Sequence, residues 1–189
     1  MKIKVLEKVS GNRAEIVPDL AFKLMALMFA IRDKIVKVDK LLDEFGICPG
    51  QVIVDYGCGP GSYIKKASEL VGPRGRLYAV DIHALAIEAV EKRLRKEKLI
   101  NVTGVLAQGG HCMLDDNCAD IIYALDMFHM VKEPGPFLHE LRRICKSRGV
   151  LFIANGHQKR VHARAKIKAS NAWVVVDENP RYMKCVPIK

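Results

Sequence analysis

Three glycines at alternate positions are the most distinctive chemical feature of this 189-residue chain. Gly57, Gly59 and Gly61 follow Asp55 closely, and an apolar stretch precedes them. Glycine permits tight backbone dihedrals and lets another molecule approach the backbone. We predict that a helix begins at Ser62, so that its free amide groups point back at this loop. The segment is therefore expected to hold a small ligand.

A second chemical signal is Asp81, which ends the next apolar stretch 20 residues after Gly61. A carboxylate at this place can accept hydrogen bonds from both hydroxyls of a ribose. The dinucleotide fingerprint G-x-G-x-x-G would put its third glycine where this chain has Ser62, and no G-x-x-x-x-G-K-[ST] segment occurs. Either signal alone is typical of a tight turn or a helix cap, but together they favour a nucleoside cofactor without a pyrophosphate.

The elements that must position these groups alternate between apolar strands and helices. Residues 18–46 carry apolar residues at three- and four-residue steps, which predicts a helical arm with one break near Asp33. The remaining chain predicts βα units and a mainly parallel sheet with helices on both faces. Seven strands are expected at 51–55, 76–81, 102–106, 120–125, 149–154, 173–176 and 182–186, with helices at 62–70, 84–98, 137–146 and 159–170.

The composition is that of an ordinary globular protein, with 50% hydrophobic and 28% charged residues, and it argues against disorder. The longest apolar run, residues 24–31, is too short for a membrane span, which needs ~20 residues. The N-terminus shows no signal peptide. Six dispersed cysteines without a C-x-x-C pair predict free thiols in a cytoplasmic protein, rather than a metal site or a disulfide scaffold.

At these motifs the sequence resembles the class I S-adenosylmethionine-dependent methyltransferases, over roughly residues 45–157. Four segments carry the resemblance: 52–61 (VIVDYGCGPG), 77–81 (LYAVD), 114–122 (LDDNCADII) and 137–152 (FLHELRRICKSRGVLF). The last two are similar to the LPDNSFD and ELRRVLKPGGVL segments of the small-molecule branch that includes ubiquinone and menaquinone methyltransferases. The resemblance implies a Rossmann-like sheet whose seventh strand is antiparallel and inserted beside the fifth. The chain is then one methyltransferase domain, with a helical arm over 1–46 and a core over 47–189.

The resemblance also implies S-adenosylmethionine as cofactor and a role for each motif residue. The three glycines would line its methionine and ribose portions, and Asp55 would hold its amino group through water. Asp81 would clamp the ribose, and Ile82 would pack on the adenine. Many relatives carry an Asp after the third strand for the adenine amino group; this chain has none in 107–110, where Gln108 could offer its amide oxygen. The full predicted set is Asp55, Tyr56, Gly57, Cys58, Gly59, Gly61, Asp81, Ile82, Gln108, Gly109 and Leu125.

The loop after the fourth predicted strand, residues 126–131, is expected to face the methyl acceptor. Either Asp126 or His129 is predicted to act there as a catalytic base, since histidine titrates near neutral pH. The alternative for His129 is a packing or capping role. Methylases of nucleic-acid amines use an N/D-P-P-Y/F segment at this place, and its absence from Ala124–Met127 favours a small-molecule acceptor.

The net charge of +10 keeps an RNA acceptor open as an alternative. One predicted helix carries five basic residues, but few aromatic residues accompany them for base stacking: Lys159, Arg160, Arg164, Lys166 and Lys168. A non-catalytic protein that binds the cofactor or its demethylated product is a further alternative. The apolar stripe of the arm predicts core packing or a homodimer contact rather than a pocket wall built from Met25, Met28 and Phe29.

Overall fold

Seven apolar stretches form the strands of one twisted sheet in the computed structural model, which describes residues 16–188. The strands are β1 (Val52–Tyr56), β2 (Arg76–Asp81), β3 (Val102–Leu106), β4 (Ala119–Ala124), β5 (Cys145–Ile153), β6 (Trp173–Glu178) and β7 (Met183–Pro187). Their order across the sheet is β3-β2-β1-β4-β5-β7-β6. Six strands run parallel, and β7 lies antiparallel between β5 and β6, which confirms the predicted fold class.

Five α-helices connect and cover the strands: α1 (Asp19–Ile35), α2 (Ile64–Val71), α3 (Ala84–Glu97), α4 (Pro134–Ile144) and α5 (Arg160–Ala169). Two short 3₁₀ helices span Val38–Glu44 and Phe128–Met130. Side chains alternate across the strands, so Ile53 and Val54 enter two different apolar cores. One core packs under α2, α3 and the first 3₁₀ helix, and the other under α4 and α5.

Three element boundaries differ from the expectation. The arm breaks at Val36, whose extended backbone (φ −113°, ψ 123°) ends α1, and not near Asp33. Helix α2 begins at Ile64 rather than Ser62, because Gly61 has a positive φ and the preceding residues form turns. Strand β5 begins at Cys145 directly after α4, four residues earlier than predicted. The other boundaries agree to within three residues.

The apolar stripe of α1 faces away from the core. Only Phe22 of this helix is buried, and Met25 and Phe29 are half-buried. The other large apolar side chains are exposed: Leu20, Leu24, Leu27, Met28, Ile31 and Ile35. Of the two structural expectations for this stripe, core packing is wrong within residues 16–188, whereas the homodimer contact stays a prediction. The apolar spacing correctly indicates a helix, but it does not report which face of that helix meets the sheet.

The thiols and the helices bear on two further expectations. All six cysteines are free, and burial raises the pKa of Cys112, Cys145 and Cys185 to about 12, so these thiols stay protonated at neutral pH. Among residues 16–188, no helix combines the length and the apolar character that crossing a bilayer requires.

Candidate functional site

The glycine loop lies at the carboxyl ends of β1 and β2, next to the point where the strand order reverses. Its glycines have φ values of +81° (Gly57), +51° (Gly59) and +84° (Gly61), which side chains rarely adopt. A Cβ added at Gly57 would lie 2.7 Å from the Met127 side chain, so close packing excludes a side chain there. A Cβ added at Gly59 would meet no atom within 4 Å. The loop therefore leaves its backbone open at Gly59, where a ligand can approach.

Asp81 joins the end of β2 to this loop. The Gly59 amide donates to Oδ2 of Asp81 at 2.8 Å, and the His83 amide donates to Oδ1 at 2.8 Å. Burial raises the pKa of Asp81 above its ordinary value, although these two amides partly oppose the effect. Each carboxylate oxygen has two lone pairs, so both can still accept a further hydrogen bond. The structure thus brings together the two motifs that the sequence singled out.

Asp55 lies at the end of β1 with only 1% of its surface exposed. Its Oδ2 has no hydrogen-bond partner among residues 16–188, and neither has the hydroxyl of Tyr123, the residue paired with Asp55 across β1 and β4. Burial raises the pKa of Asp55 well above the ordinary value, and the nearby Asp81 carboxylate adds to the rise, which the neighbouring Tyr123 hydroxyl only partly opposes. Buried polar atoms without partners are uncommon in folded proteins and often mark functional sites.

The predicted adenine side of the site is a turn after β3. Gln108 and His111 exchange backbone hydrogen bonds of 2.9 and 3.1 Å, and Gly109 adopts a φ of +59° within this turn. The Gln108 side chain is exposed, and Ile82 is half-buried against the core. This placement leaves both residues at the carboxyl edge of the sheet, and their contact with a base remains a prediction.

A buried ion pair on α4 anchors this turn, and sequence reasoning missed its role. Glu140 accepts hydrogen bonds from the Cys112 amide at 2.9 Å and from Nη2 and Nε of Arg143, each at 2.8 Å. Arg143 also donates to the carbonyls of Leu114 and Cys112. Burial alone would raise the pKa of Glu140, but the hydrogen bonds from Arg143 and Cys112 outweigh it and lower the pKa to about 2. The Glu-x-x-Arg spacing on a helix was the available signal.

Helix α1 spans the carboxyl edge of the sheet. Near its amino end, the Phe22 ring stacks on the His83 ring at 4.3 Å, after β2. Near its carboxyl end, Arg32 donates to Ser62 Oγ at 3.3 Å and to Asp126 Oδ2 at 3.4 Å, after β4. Ten residues of helix cover about 15 Å, enough to pass over three strands spaced about 4.8 Å apart. No local pattern in the sequence indicates that Arg32 and His83 lie at the site.

The two predicted catalytic residues lie in different surroundings. Asp126 has a φ of +59°, is exposed, and lines a cavity of about 360 Å³ together with Leu125. His129 instead packs against Gly156, where a Cβ would collide with its ring, and its ring centre lies 4.8 Å from that of His157. Burial, followed by the effect of His157, lowers the pKa of His129. His129 is therefore neutral at pH 7, but it does not line this cavity.

Most basic side chains of helix α5 contact other groups of the protein. Arg160 donates to the carbonyls of Pro180 and Tyr182, and Arg164 pairs with Glu178 at 3.1 Å. Lys166 donates to Gln158 at 2.8 Å. The arrangement is more typical of a structural helix than of a free nucleic-acid surface. Residues 179–182 form the turn between β6 and β7.

Comparison with known proteins relates this fold and site to methyl transfer. Residues 54–153 match the methyltransferase domain family. A ubiquinone/menaquinone biosynthesis C-methyltransferase of Shewanella frigidimarina is 29% identical over 106 residues, which are 56% of this chain and 42% of that protein. The matched segments cover less than half the length of this relative and of two other curated relatives.

Solved structures agree with this relationship. A SAM-dependent methyltransferase from Aquifex aeolicus superimposes with a TM-score of 0.69 at 26% identity, covering 78% of this chain and 86% of that one. A TehB-like SAM-dependent methyltransferase from Corynebacterium glutamicum gives a TM-score of 0.70 at 13% identity, covering 89% of this chain and 99% of that one. At that identity, the second likeness concerns the fold alone.

Proposed function

Because the chain belongs to the class I S-adenosylmethionine-dependent methyltransferases, we propose that it transfers a methyl group from S-adenosylmethionine to a small-molecule acceptor. The observation that carries the proposal is the unit formed by the glycine loop and Asp81, joined through the Gly59 amide. When bound, the cofactor supplies a methyl group on a positively charged sulfur, which is a good leaving group. The protein then has to bind, orient and shield the reactants.

The residues present fit such a cofactor on two counts. The open position at Gly59 provides a backbone cradle that a side chain would fill. Asp81 keeps lone pairs for the two ribose hydroxyls while it holds the loop. Asp55 brings a buried carboxyl with a free oxygen to the adjacent strand end, which suits the predicted contact to the amino group. Ile82, Gln108 and Gly109 lie after β2 and β3, on the side proposed for the adenine.

Orientation supplies most of the rate in this proposal. Well-positioned reactants can lower a barrier by about 7–11 kcal/mol relative to the same reactants in solution. Helix α1 covers the strand ends from His83 to Asp126, and it helps to exclude water from the space beneath it. A base at the acceptor adds roughly 10²–10⁴-fold where the acceptor must lose a proton.

Of the two predicted bases, we assign the acceptor-facing role to Asp126. Asp126 lines the cavity after β4, and Arg32 contacts its carboxylate. His129 shapes the neighbouring loop through its packing on Gly156. We expect Asp126→Asn to lower kcat by about 10²-fold, with cofactor affinity retained. His129→Ala should keep most of the turnover, and a loss as large as that of Asp126→Asn would reverse the assignment.

Two measurements test the proposed function. Isothermal titration with S-adenosylmethionine and S-adenosylhomocysteine should show one binding site for each. Incubation with labelled S-adenosylmethionine should then move the label into a small-molecule cell extract and not into an RNA pool. Label in RNA alone would favour the RNA alternative, whereas binding without any transfer would favour a non-catalytic role. An absence of binding would contradict both the cofactor and the reaction.

A further inference from the structure

The cavity beside Asp126 is built from five separate parts of the chain. Its volume is about 360 Å³, which lies at the lower end of the range for small-molecule pockets. The segment after α1, the end of the glycine loop, the ends of β4 and β5, and the turn before β7 all contribute to its walls. The lining residues are Val36, Lys37, Val38, Lys40, Leu41, Tyr63, Leu125, Asp126, Ala154 and Arg181.

The strand order puts this cavity next to the proposed methyl group. Asp81, proposed to hold the ribose, follows β2, and the glycine loop follows β1. The cavity residues Leu125 and Ala154 follow β4 and β5, which lie on the opposite side of β1 from β2. A cofactor laid from β2 across β1 would therefore present its reactive end towards this cavity.

The charges around the cavity leave an excess of positive charge. Arg32 contacts Asp126, the one carboxylate among the lining residues, at 3.4 Å and also pairs with Asp33 at 2.9 Å. Arg181 is paired with Glu44 of the first 3₁₀ helix, which fixes this wall of the cavity. Lys37 and Lys40 are exposed, and within residues 16–188 neither ammonium group lies within 4.0 Å of a carboxylate. Two lysines at the rim are thus free to meet an anion.

The inner walls have a different character from the rim. Valine, leucine and alanine side chains form most of them, and the Tyr63 ring adds a largely buried aromatic surface. Burial raises the pKa of Tyr63, so its hydroxyl stays protonated and can donate a hydrogen bond. An apolar interior beneath a cationic rim is complementary to a compact organic molecule with one acidic group.

We infer that the methyl acceptor is a small organic acid, whose carboxylate or phosphate group is held at Lys37 and Lys40 while its apolar body enters this cavity. This inference rests on the proposed function and specifies its substrate class. A bond would form between the methyl carbon and a nucleophilic atom of the body that carries a proton, while the carbon–sulfur bond of the cofactor breaks and S-adenosylhomocysteine leaves. The proton of that atom would pass to Asp126. Because a methyl group replaces a proton, the charge of the acidic group is unchanged and the product is also an anion.

The experiment follows the charge of the labelled product. The full chain is incubated with methyl-labelled S-adenosylmethionine and a small-molecule cell extract, and the products are separated by anion exchange at neutral pH. The inference expects the label in the retained fraction, and alkaline phosphatase then distinguishes a phosphate ester from a carboxylic acid. A neutral or cationic labelled product, or labelled RNA, would overturn the inference but leave methyl transfer intact. An absence of transfer would overturn the proposed function and the inference with it.

A matched pair of variants tests the two lysines. The acceptor for this assay is the unmethylated form of the product that the anion exchanger retains. With it, Lys37→Glu/Lys40→Glu should lower kcat/KM by about tenfold or more, mainly by raising KM. The affinity for S-adenosylhomocysteine should be unchanged. The control, Lys96→Glu/Lys168→Glu, makes the same change in net charge at two exposed lysines outside the cavity and should preserve kcat/KM. Equal losses in both variants would overturn the role of Lys37 and Lys40. The loss should shrink as salt is added, because screening weakens exposed charges.

Discussion

The two ends of the proposed reaction site are built in different ways. The cofactor side consists mainly of backbone: the glycine loop and the Asp81 carboxylate that holds its Gly59 amide lie within one stretch of the chain. The acceptor side consists of side chains from five distant stretches that meet after β4 and β5. A site made of local backbone depends on a few residue types at fixed spacing. A site assembled from distant side chains can change its chemistry while the cofactor side stays the same.

The helical arm contacts both sides of the proposed reaction site. On the cofactor side, Phe22 of the arm stacks on His83, which follows β2. On the acceptor side, Arg32 of the arm donates a hydrogen bond to Asp126. Its first 3₁₀ helix supplies Lys40 and Leu41 to the cavity. The arm thus packs over the cofactor side and supplies residues to the acceptor side, which we expect to select the acceptor.

The largest expected effect comes from damaging the cofactor side alone. In Gly59→Ala, the new methyl group would occupy the open backbone position, and the affinity for S-adenosylhomocysteine should fall at least about a hundredfold, near 3 kcal/mol. Isothermal titration measures this loss. The cavity after β4 should be unchanged.

The matched control for this variant is Gly46→Ala. Gly46 also has a positive φ (+66°) and no atom within 4 Å of an added Cβ, but it lies on the segment that leads into the amino end of β1. Both substitutions carry a backbone cost of about 1–2 kcal/mol. If Gly46→Ala lost the cofactor as fully as Gly59→Ala, strain rather than blocking of the site would account for the effect.

A smaller effect on cofactor affinity is expected from the Glu140–Arg143 pair, which anchors the turn after β3. Glu140→Gln removes the charge that Arg143 and the Cys112 amide surround, and should lower the free energy of unfolding by about 1–3 kcal/mol. The turn after β3 should loosen, and cofactor affinity should weaken by a few fold. Chemical denaturation and titration measure the two effects.

The pH dependence gives this variant a second readout. The pKa of Glu140 is lowered to about 2, so its stabilising effect is present above the ordinary glutamate pKa and is lost as the pH falls through 2. The stability difference between wild type and Glu140→Gln should therefore be constant near neutrality and shrink in acid. A difference that grows in acid would contradict the role given to this carboxylate.

The smallest effect is expected at Asp55, on the strand where the two sides of the site meet. Its pKa is raised, so its contribution to stability is complete below the ordinary aspartate pKa and is lost as the pH rises through the folded-state value. Asp55→Asn should therefore raise the free energy of unfolding at pH 7, which is the opposite sign to the loss expected for Glu140→Gln. This gain should disappear in acid, and thermal melts across pH would measure it.

Asp120→Asn provides the contrast for Asp55. Asp120 lies on β4, and both of its carboxylate oxygens have partners. Oδ2 accepts a hydrogen bond from the Val52 amide at 2.9 Å, and Oδ1 pairs with Lys146 at 2.6 Å. Its substitution should lower stability at pH 7. If Asp55→Asn also lowered it, the buried carboxyl would be contributing to the fold, and the case for its functional role would weaken.

The same contrast sets how far the sequence could predict this molecule. The glycine loop, Asp81 and the strand–helix alternation are local patterns, so the sequence alone predicts the fold and brings the loop and Asp81 together, as the structure confirms. The contacts of these residues with the cofactor stay a prediction. The cavity after β4 depends on tertiary contacts that join Lys40, Tyr63 and Arg181, and no local spacing indicates that these residues meet. Likewise, the apolar stripe of α1 predicted either core packing or a homodimer contact, and the sequence could not choose between them, because periodicity carries no information about which face meets the sheet.

The most direct test of the account is a crystal structure of the protein with S-adenosylhomocysteine. We expect the ribose hydroxyls to lie on Asp81, the backbone at Gly59 to contact the ligand, and the sulfur to face the cavity lined by Leu125 and Asp126. A ligand bound elsewhere, such as in the groove between α1 and α3 lined by Phe22 and Leu85, would contradict it.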